Sequence, residues 1–250
     1  MGTFPQCTLN LLKKNGVILM KIIIEKDFDA MSETTRNILL GHMSQAKRVN
    51  LSITAGRTPV KVYEKLVATL KNSPNYSNVH YYNFDEIPVP NQEEGITITD
   101  LRKLYLTPAA IPEEQIHPLT VENYQEQDKK IDAVGGLDAM LIGLGEDGHF
   151  CGNMPTTTQF NKETYKVTVT GNEPWFVPDM MEVGMSFVTM GLASIMKVKH
   201  LILIVNGKNK AQILKEVLTE PMTEEKPASF LQLHPNLTVI LDEEAASQLD

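Results

Sequence analysis

Asp147 and His149, separated only by Gly148, set a carboxylate beside an imidazole in the run LIGLGEDGHF over residues 141–150. An imidazole changes charge near neutral pH, and a neighbouring Asp can orient it or raise its basicity, so the pair suits proton transfer. Ala139 to Ile142 reads as a buried strand, and the glycines after it, Gly143 and Gly145, predict a turn able to bend tightly around a ligand. A surface turn that happens to hold Asp and His would look the same, and this motif alone does not choose between them. Three other segments add weight. Thr54-Ala55-Gly56-Arg57-Thr58 combines hydroxyls, a glycine and an arginine with a helix start, which together favour phosphate. Lys210 opens a later helix and offers a second cation, although a solvated lysine would look no different. Asp85 and Glu86 leave the aromatic stretch Tyr81-Tyr82-Asn83-Phe84, where partial desolvation raises a carboxyl pKa towards general-base use. An acidic turn ahead of Pro88 and Pro90 is the plainer alternative. Adjacent residues point in different directions, so these two carboxylates are not expected to act as a pair.

The elements that must position these residues alternate along the chain. Strands are predicted at 21–25, 49–54, 79–84, 139–142, 201–205 and 237–241, and helices at 28–43, 97–106, 121–133 and 212–218. A further helix is expected to start with Thr58 as N-cap and Pro59 at its first position, with Tyr63, Leu66, Val67 and Leu70 on its apolar face. Such alternation predicts an α/β fold: one domain with an open, mostly parallel sheet and helices on both faces, a Rossmann-like three-layer sandwich. Ligands bind open parallel sheets beyond the carboxyl ends of the strands. All four polar clusters, at 54–58, 85–86, 147–149 and 206–210, fall at such ends, which argues for a single site. No Walker loop or Gly-x-Gly-x-x-Gly fingerprint occurs, and the scattered carboxylates lack the spacing of a zinc set, so neither a metal nor a redox cofactor is expected.

Composition narrows the partners. With 42% apolar and 22% charged residues in 250, the chain has the make-up of an ordinary globular protein. Its net charge of −8 offers no general field for nucleic acid or an anionic membrane, so an anion must be held locally. Cys7 and Cys151 do not form a disulfide framework, and no apolar run reaches the roughly 20 residues that span a bilayer, so a cytoplasmic protein is expected. Residues 1–19 do not resemble a signal peptide, and Met20-Lys21-Ile22-Ile23-Ile24 reads as the natural opening of a first strand. Codons for Lys14-Asn15-Gly16-Val17 can contain GGAG. We therefore expect 1–19 to be a disordered or mis-assigned extension, a translated ribosome-binding region, with 20–250 as the domain. A genuine N-terminal extension is the alternative.

Thr54-Ala55-Gly56-Arg57-Thr58-Pro59, Tyr82-Asn83-Phe84-Asp85-Glu86, the 143–149 run and Ser229-Phe230-Leu231-Gln232-Leu233-His234-Pro235 resemble the glucosamine-6-phosphate deaminase/6-phosphogluconolactonase superfamily, in order and from Met20 to near the C-terminus. Asn-x-Asp-Glu and Leu-Gln-Leu-His-Pro are similar to the deaminase/isomerase branch. Ile87 stands where lactonases typically carry Arg, and Cys151-Gly152-Asn153-Met154-Pro155 departs from their Ala-Ser-Leu-Phe-Pro run. The resemblance implies an enzyme that converts an amino-sugar 6-phosphate, glucosamine 6-phosphate or an epimer, to a ketose 6-phosphate and ammonia. Asp85 would move a proton between C2 and C1, with Asp147 and His149 assisting ring opening. Lys210 would bind phosphate, helped by Thr54, Gly56, Arg57 and Thr58, with Arg57 replacing an arginine the family carries elsewhere. Met154 stands where the deaminases have the glutamate that completes the ring-opening group, which puts glucosamine 6-phosphate itself in question. A lactonase, in which His149 activates water, and a sugar-phosphate-binding regulator without turnover are the alternatives. The resemblance implies a phosphorylated sugar as the partner and leaves a homo-oligomer open.

Overall fold

β-Branched and aliphatic runs dictate the centre of the molecule. The computed structural model describes residues 7–13, 17–71, 76–178 and 182–249. β1 (Cys7–Lys13), β2 (Val17–Glu25), β3 (Val49–Ser52), β4 (Val79–Tyr82), β6 (Ile116–His117), β7 (Ala139–Ile142), β10 (Leu201–Val205) and β11 (Leu237–Asp242) form one sheet in the order β1-β2-β11-β10-β7-β3-β4-β6. Every pairing in it is parallel except β1 with β2. Alternate residues feed opposite cores, as a sheet covered on both faces requires. Leu201, Leu203 and Val205 enter one core with Met140 and Ile142, while Ile202 and Ile204 enter the other with Ala139 and Leu141.

Helices cover both faces. α1 (Phe28–Met43), α2 (Val60–Leu70) and α3 (Ile96–Leu101) pack on the second core, and α4 (Tyr124–Ala133), α5 (Leu192–Ile195), α6 (Ala211–Thr219) and α7 (Glu243–Ala246) on the first. The expected 97–106 helix is present, with its second half, Arg102–Leu106, wound as a π-helix that continues α3 without a break. α2 begins at Val60 without a side-chain cap, so Thr58 does not play the N-cap part expected of it. A second, antiparallel sheet joins β5 (Asp85–Glu86), β9 (Ser186–Thr189) and β8 (Tyr165–Thr168), in the order β5-β9-β8. It lies outside the strand–helix alternation and was not anticipated.

The chain runs outward from β3 through β4 to β6, then resumes with β7 on the other side of β3 and continues to β10 and β11. The reversal at β3 and β7 opens a crevice at their carboxyl ends. Strand β1 runs along the edge of β2, so part of the segment read as a leader belongs to the main sheet. Residues 1–6 and 14–16 lie outside the described residues. A start at Met20 stays a proposal: it would remove β1 and Val17 to Leu19 of β2, and N-terminal sequencing of the native protein tests it.

Candidate active site

Loops after four neighbouring strands, β10, β7, β3 and β4, carry the residues singled out above. After β4 the backbone turns into β5, where Asp85 and Glu86 diverge. Glu86, 3% exposed, accepts N–H bonds from Thr97 (2.8 Å), Ile98 (3.0 Å) and Ile87 (3.0 Å), capping the first turn of α3. Gly95 permits this approach, since a Cβ there would overlap the Glu86 carboxylate and the Ile87 carbonyl. Burial pushes the Glu86 carboxyl up to about 7 against the pull of those N–H groups, and the nearby Asp85 adds to the rise. Asp85 turns the other way. Its Oδ1 accepts the Thr97 hydroxyl at 3.2 Å, and burial pushes its carboxyl up to about 6, with Thr97 and His149 pulling it down.

The loop after β7 closes on itself. Gly145 N–H donates to the His149 carbonyl (2.9 Å) and Gly148, at φ +85°, donates to the Gly145 carbonyl (3.2 Å). The glycine requirement differs from the one expected. A Cβ at Gly143 would meet nothing within 4 Å, whereas one at Gly145 would overlap the His149 ring. Asp147 Oδ1 accepts from His149 Nδ1 at 2.5 Å and from the His149 backbone N–H at 3.1 Å. Desolvation opposes ionisation of Asp147, but the His149 bonds hold its carboxyl below the usual range. With Nδ1 committed to a carboxylate, Nε2 is the nitrogen left to exchange a proton. Cys151 follows at φ +51°, a left-handed conformation that costs a non-glycine residue about 1–3 kcal/mol and often marks functional loops.

Asp85 and His149 line one cavity of about 310 Å³. Its polar lining is Asp85, Thr97, His149 and Cys151; the rest is Ile87, Ile96, Met154, Trp175, Met185, Phe187 and the backbone of Gly152. Trp175 and Phe187 meet edge to face, 6.0 Å between centroids, and the Trp175 indole N–H donates to Thr157 Oγ1 at 3.1 Å. Asn153, fully buried, donates to the Met190 carbonyl (2.9 Å) and accepts from the Tyr165 hydroxyl (3.1 Å), which fixes the backbone just before Met154.

The residues expected at phosphate do not line this cavity. Gly56, at φ +95°, turns the loop after β3, and Tyr63 donates its hydroxyl to the Thr54 carbonyl at 2.5 Å. Arg57 is exposed, Thr54 and Thr58 are half-buried, and among the described residues no carboxylate pairs with Arg57. Lys210 ties its ammonium to the Leu144 carbonyl at 2.7 Å, directly on the His149 loop; burial lowers its pKa, and the Glu146 and Asp147 charges act the other way. The structure thus brings Asp85, Asp147 and His149 together, sets Lys210 against their loop, and leaves Thr54, Gly56, Arg57 and Thr58 on the adjoining strand end. Thr97, Gly95, Trp175 and Phe187 were missed. Only the turn-forming Gly95 ahead of a Thr-rich helix start hinted at any of them. No group of three or more metal-ligating side chains occurs among the described residues, and no described helix is long and apolar enough to cross a membrane.

A mostly parallel α/β sheet with an acid–base pair gathered at its central strand ends has the layout of an α/β enzyme. The chain belongs to the glucosamine-6-phosphate isomerase/6-phosphogluconolactonase family, whose model matches residues 26–240. The glucosamine-6-phosphate deaminase of Shouchella clausii is 32% identical over 241 residues, 91% of this chain and 97% of that one. That of Pseudoalteromonas translucida is 30% identical over 243 residues, covering 92% and 90%. A monomeric glucosamine-6-phosphate deaminase of known structure superposes with a TM-score of 0.77 at 25% identity, over 91% of this chain and 99% of that one. A 6-phosphogluconolactonase from Trypanosoma cruzi shares the fold, with a TM-score of 0.73 at 21% identity, over 91% and 96%.

Proposed function

We propose that the protein is an amino-sugar 6-phosphate deaminase/isomerase, converting glucosamine 6-phosphate or an epimer, with water, to a ketose 6-phosphate and ammonia. One observation carries this. Asp85, with its carboxyl near 6, faces the same cavity as the His149–Asp147 pair in a chain about a third identical to curated deaminases. A base of that strength is ionised at neutral pH yet basic enough to take a proton from carbon next to a carbonyl. His149 Nε2 carries a proton from the C1 hydroxyl to the ring oxygen, so that the bond between C1 and the ring oxygen breaks and the sugar opens to its aldehyde. Asp85 then takes the C2 proton and returns it to C1, leaving an iminium at C2 that water converts to the ketone as ammonia departs. The loop at 54–58 and Lys210 hold the phosphate. Cytoplasmic placement follows from this metabolic role.

The test is a panel of sugar 6-phosphates assayed for ketose and ammonia, with 6-phosphogluconolactone hydrolysis in parallel. Lactone hydrolysis without ketose would move the protein to the other branch of the family. Binding without either product would make it a sugar-phosphate-binding regulator.

A further inference from the structure

The cavity has two chemically different ends. Thr97 bonds Asp85, His149 acts on the Asp85 charge, and Asp85 in turn acts on the Cys151 thiol, which burial drives well above its usual pKa; these four form one polar neighbourhood. The other wall is a separate apolar cluster in which Trp175 and Phe187 pack with Ile87, Met154 and Met185. Ile96 extends it to the surface, 47% exposed. The wall comes from distant parts of the chain and converges on one space, so it is not a single loop's leftover apolar face. A hexose carries a hydroxyl on nearly every carbon, and each one buried here without a partner would cost free energy. One aromatic face could stack on a sugar ring. A wall of two aromatic rings, two thioethers and two isoleucines fits an apolar group instead.

We propose that the substrate carries an apolar substituent on its C2 nitrogen, an N-alkyl or N-arylalkyl group seated against Trp175, Phe187, Met154 and Met185. This rests on the deaminase reading, which sets C1 and C2 between Asp85 and His149 and so directs the C2 nitrogen into the remaining volume. The reaction balances without a new reagent. Asp85 takes the C2 proton and delivers it to C1. The electrons of the broken C2–H bond form a C1–C2 enolamine as the C1 oxygen takes a proton from solvent; when C1 accepts its proton, the nitrogen lone pair closes a double bond to C2, giving a substituted iminium. Water adds at C2, its oxygen becomes the ketone, and the C2–N bond breaks to release a primary amine R–NH₂ in place of ammonia. Met154 then acquires a reason: where a glutamate would need a charged or hydrogen-bonding neighbour, a thioether supplies contact for the substituent.

The experiment compares glucosamine 6-phosphate with N-benzylglucosamine 6-phosphate on the full-length enzyme, measuring ketose, ammonia and benzylamine, and repeats this for Trp175→Ala and Met154→Gln. Burying a phenyl group should raise kcat/KM for the benzyl compound about 10- to 100-fold over the parent, and both variants should shrink that ratio. Calorimetric binding of the benzyl compound to the wild type gives a second readout that does not depend on the variants folding. Ammonia release at equal or higher kcat/KM than benzylamine release would overturn the substituent and leave the deaminase standing. Absence of ketose from both compounds would overturn both.

Discussion

The Thr97 hydroxyl donates to Asp85 Oδ1 at 3.2 Å from the helix turn whose backbone N–H groups Glu86 holds. That bond favours the ionised carboxylate, against burial, which favours the neutral one. If Asp85 is the base, kcat/KM falls as the pH drops through about 6, because only the ionised form accepts a proton. Removing the bond with Thr97→Val raises the Asp85 pKa further, so the acid limb shifts to higher pH. A pH–rate profile of the two proteins measures it; an unmoved limb would assign it to another group.

Asp85→Asn keeps the side-chain shape but cannot take the C2 proton. Turnover should fall by about 10²–10⁴, the usual contribution of a positioned base, while sugar-phosphate binding persists. Exchange of the C2 proton in deuterated solvent, followed by NMR, reports this step directly. Exchange as fast in the variant as in the wild type would reassign the base.

The main sheet was legible because each strand is a short aliphatic run between turn signals: 139–142 and 201–205 fall where predicted, and α1 spans the expected 28–43. The small sheet was not. Tyr165–Thr168 and Ser186–Thr189 are four-residue strands in a long irregular stretch, and β5 is the pair Asp85–Glu86, whose charges conceal its pairing with Thr189 and Val188. Polar residues at strand ends announced the side chains that meet at the cavity, Asp85 and His149. The apolar wall was not legible because Trp175 and Phe187 sit outside any regular pattern, and only the fold brings them beside Asp85.

Gly95→Ala tests the support beneath Asp85. A Cβ at 95 would overlap the Glu86 carboxyl and force it from the α3 N-terminus, freeing N–H groups that now have its oxygens as partners. Loss of such a bond costs about 1.5–3 kcal/mol, and turnover should fall with stability because Thr97 moves with the turn. Chemical denaturation and steady-state kinetics check the two effects. An unchanged midpoint would show that the turn relaxes freely.

For phosphate, Arg57→Ala and Lys210→Ala should each weaken binding of a sugar 6-phosphate by about 1.5–3 kcal/mol, the scale of a hydrogen bond to a charged group. The two should differ in kcat. Arg57 is exposed, so its loss acts mainly through KM, whereas Lys210 also bonds the Leu144 carbonyl beneath the His149 loop, and its loss should lower kcat too. Titration calorimetry with a phosphorylated and an unphosphorylated sugar separates the cases, and equal affinity in both variants and the wild type would place the phosphate elsewhere.

Met154→Glu addresses the departure from the deaminase pattern. The thioether at 154 shares the cavity with His149 and Asp85 but neither holds the imidazole by charge nor relays a proton, so closed-ring glucosamine 6-phosphate should open slowly in the wild type. One missing acid–base partner is worth about 10²–10⁴ in rate, which leaves a weak deaminase rather than an inert protein. A carboxylate at 154 enters an apolar wall, where desolvation raises its pKa, while a protonated His149 draws it down again. The variant should release ammonia from glucosamine 6-phosphate faster than the wild type, with the gain appearing above the pH at which the new carboxyl ionises. A stopped assay of ammonia across pH 6–9 for both proteins gives the answer. A wild-type rate that already matches an ordinary deaminase, with no gain in the variant, would mean that another residue fills the glutamate's part.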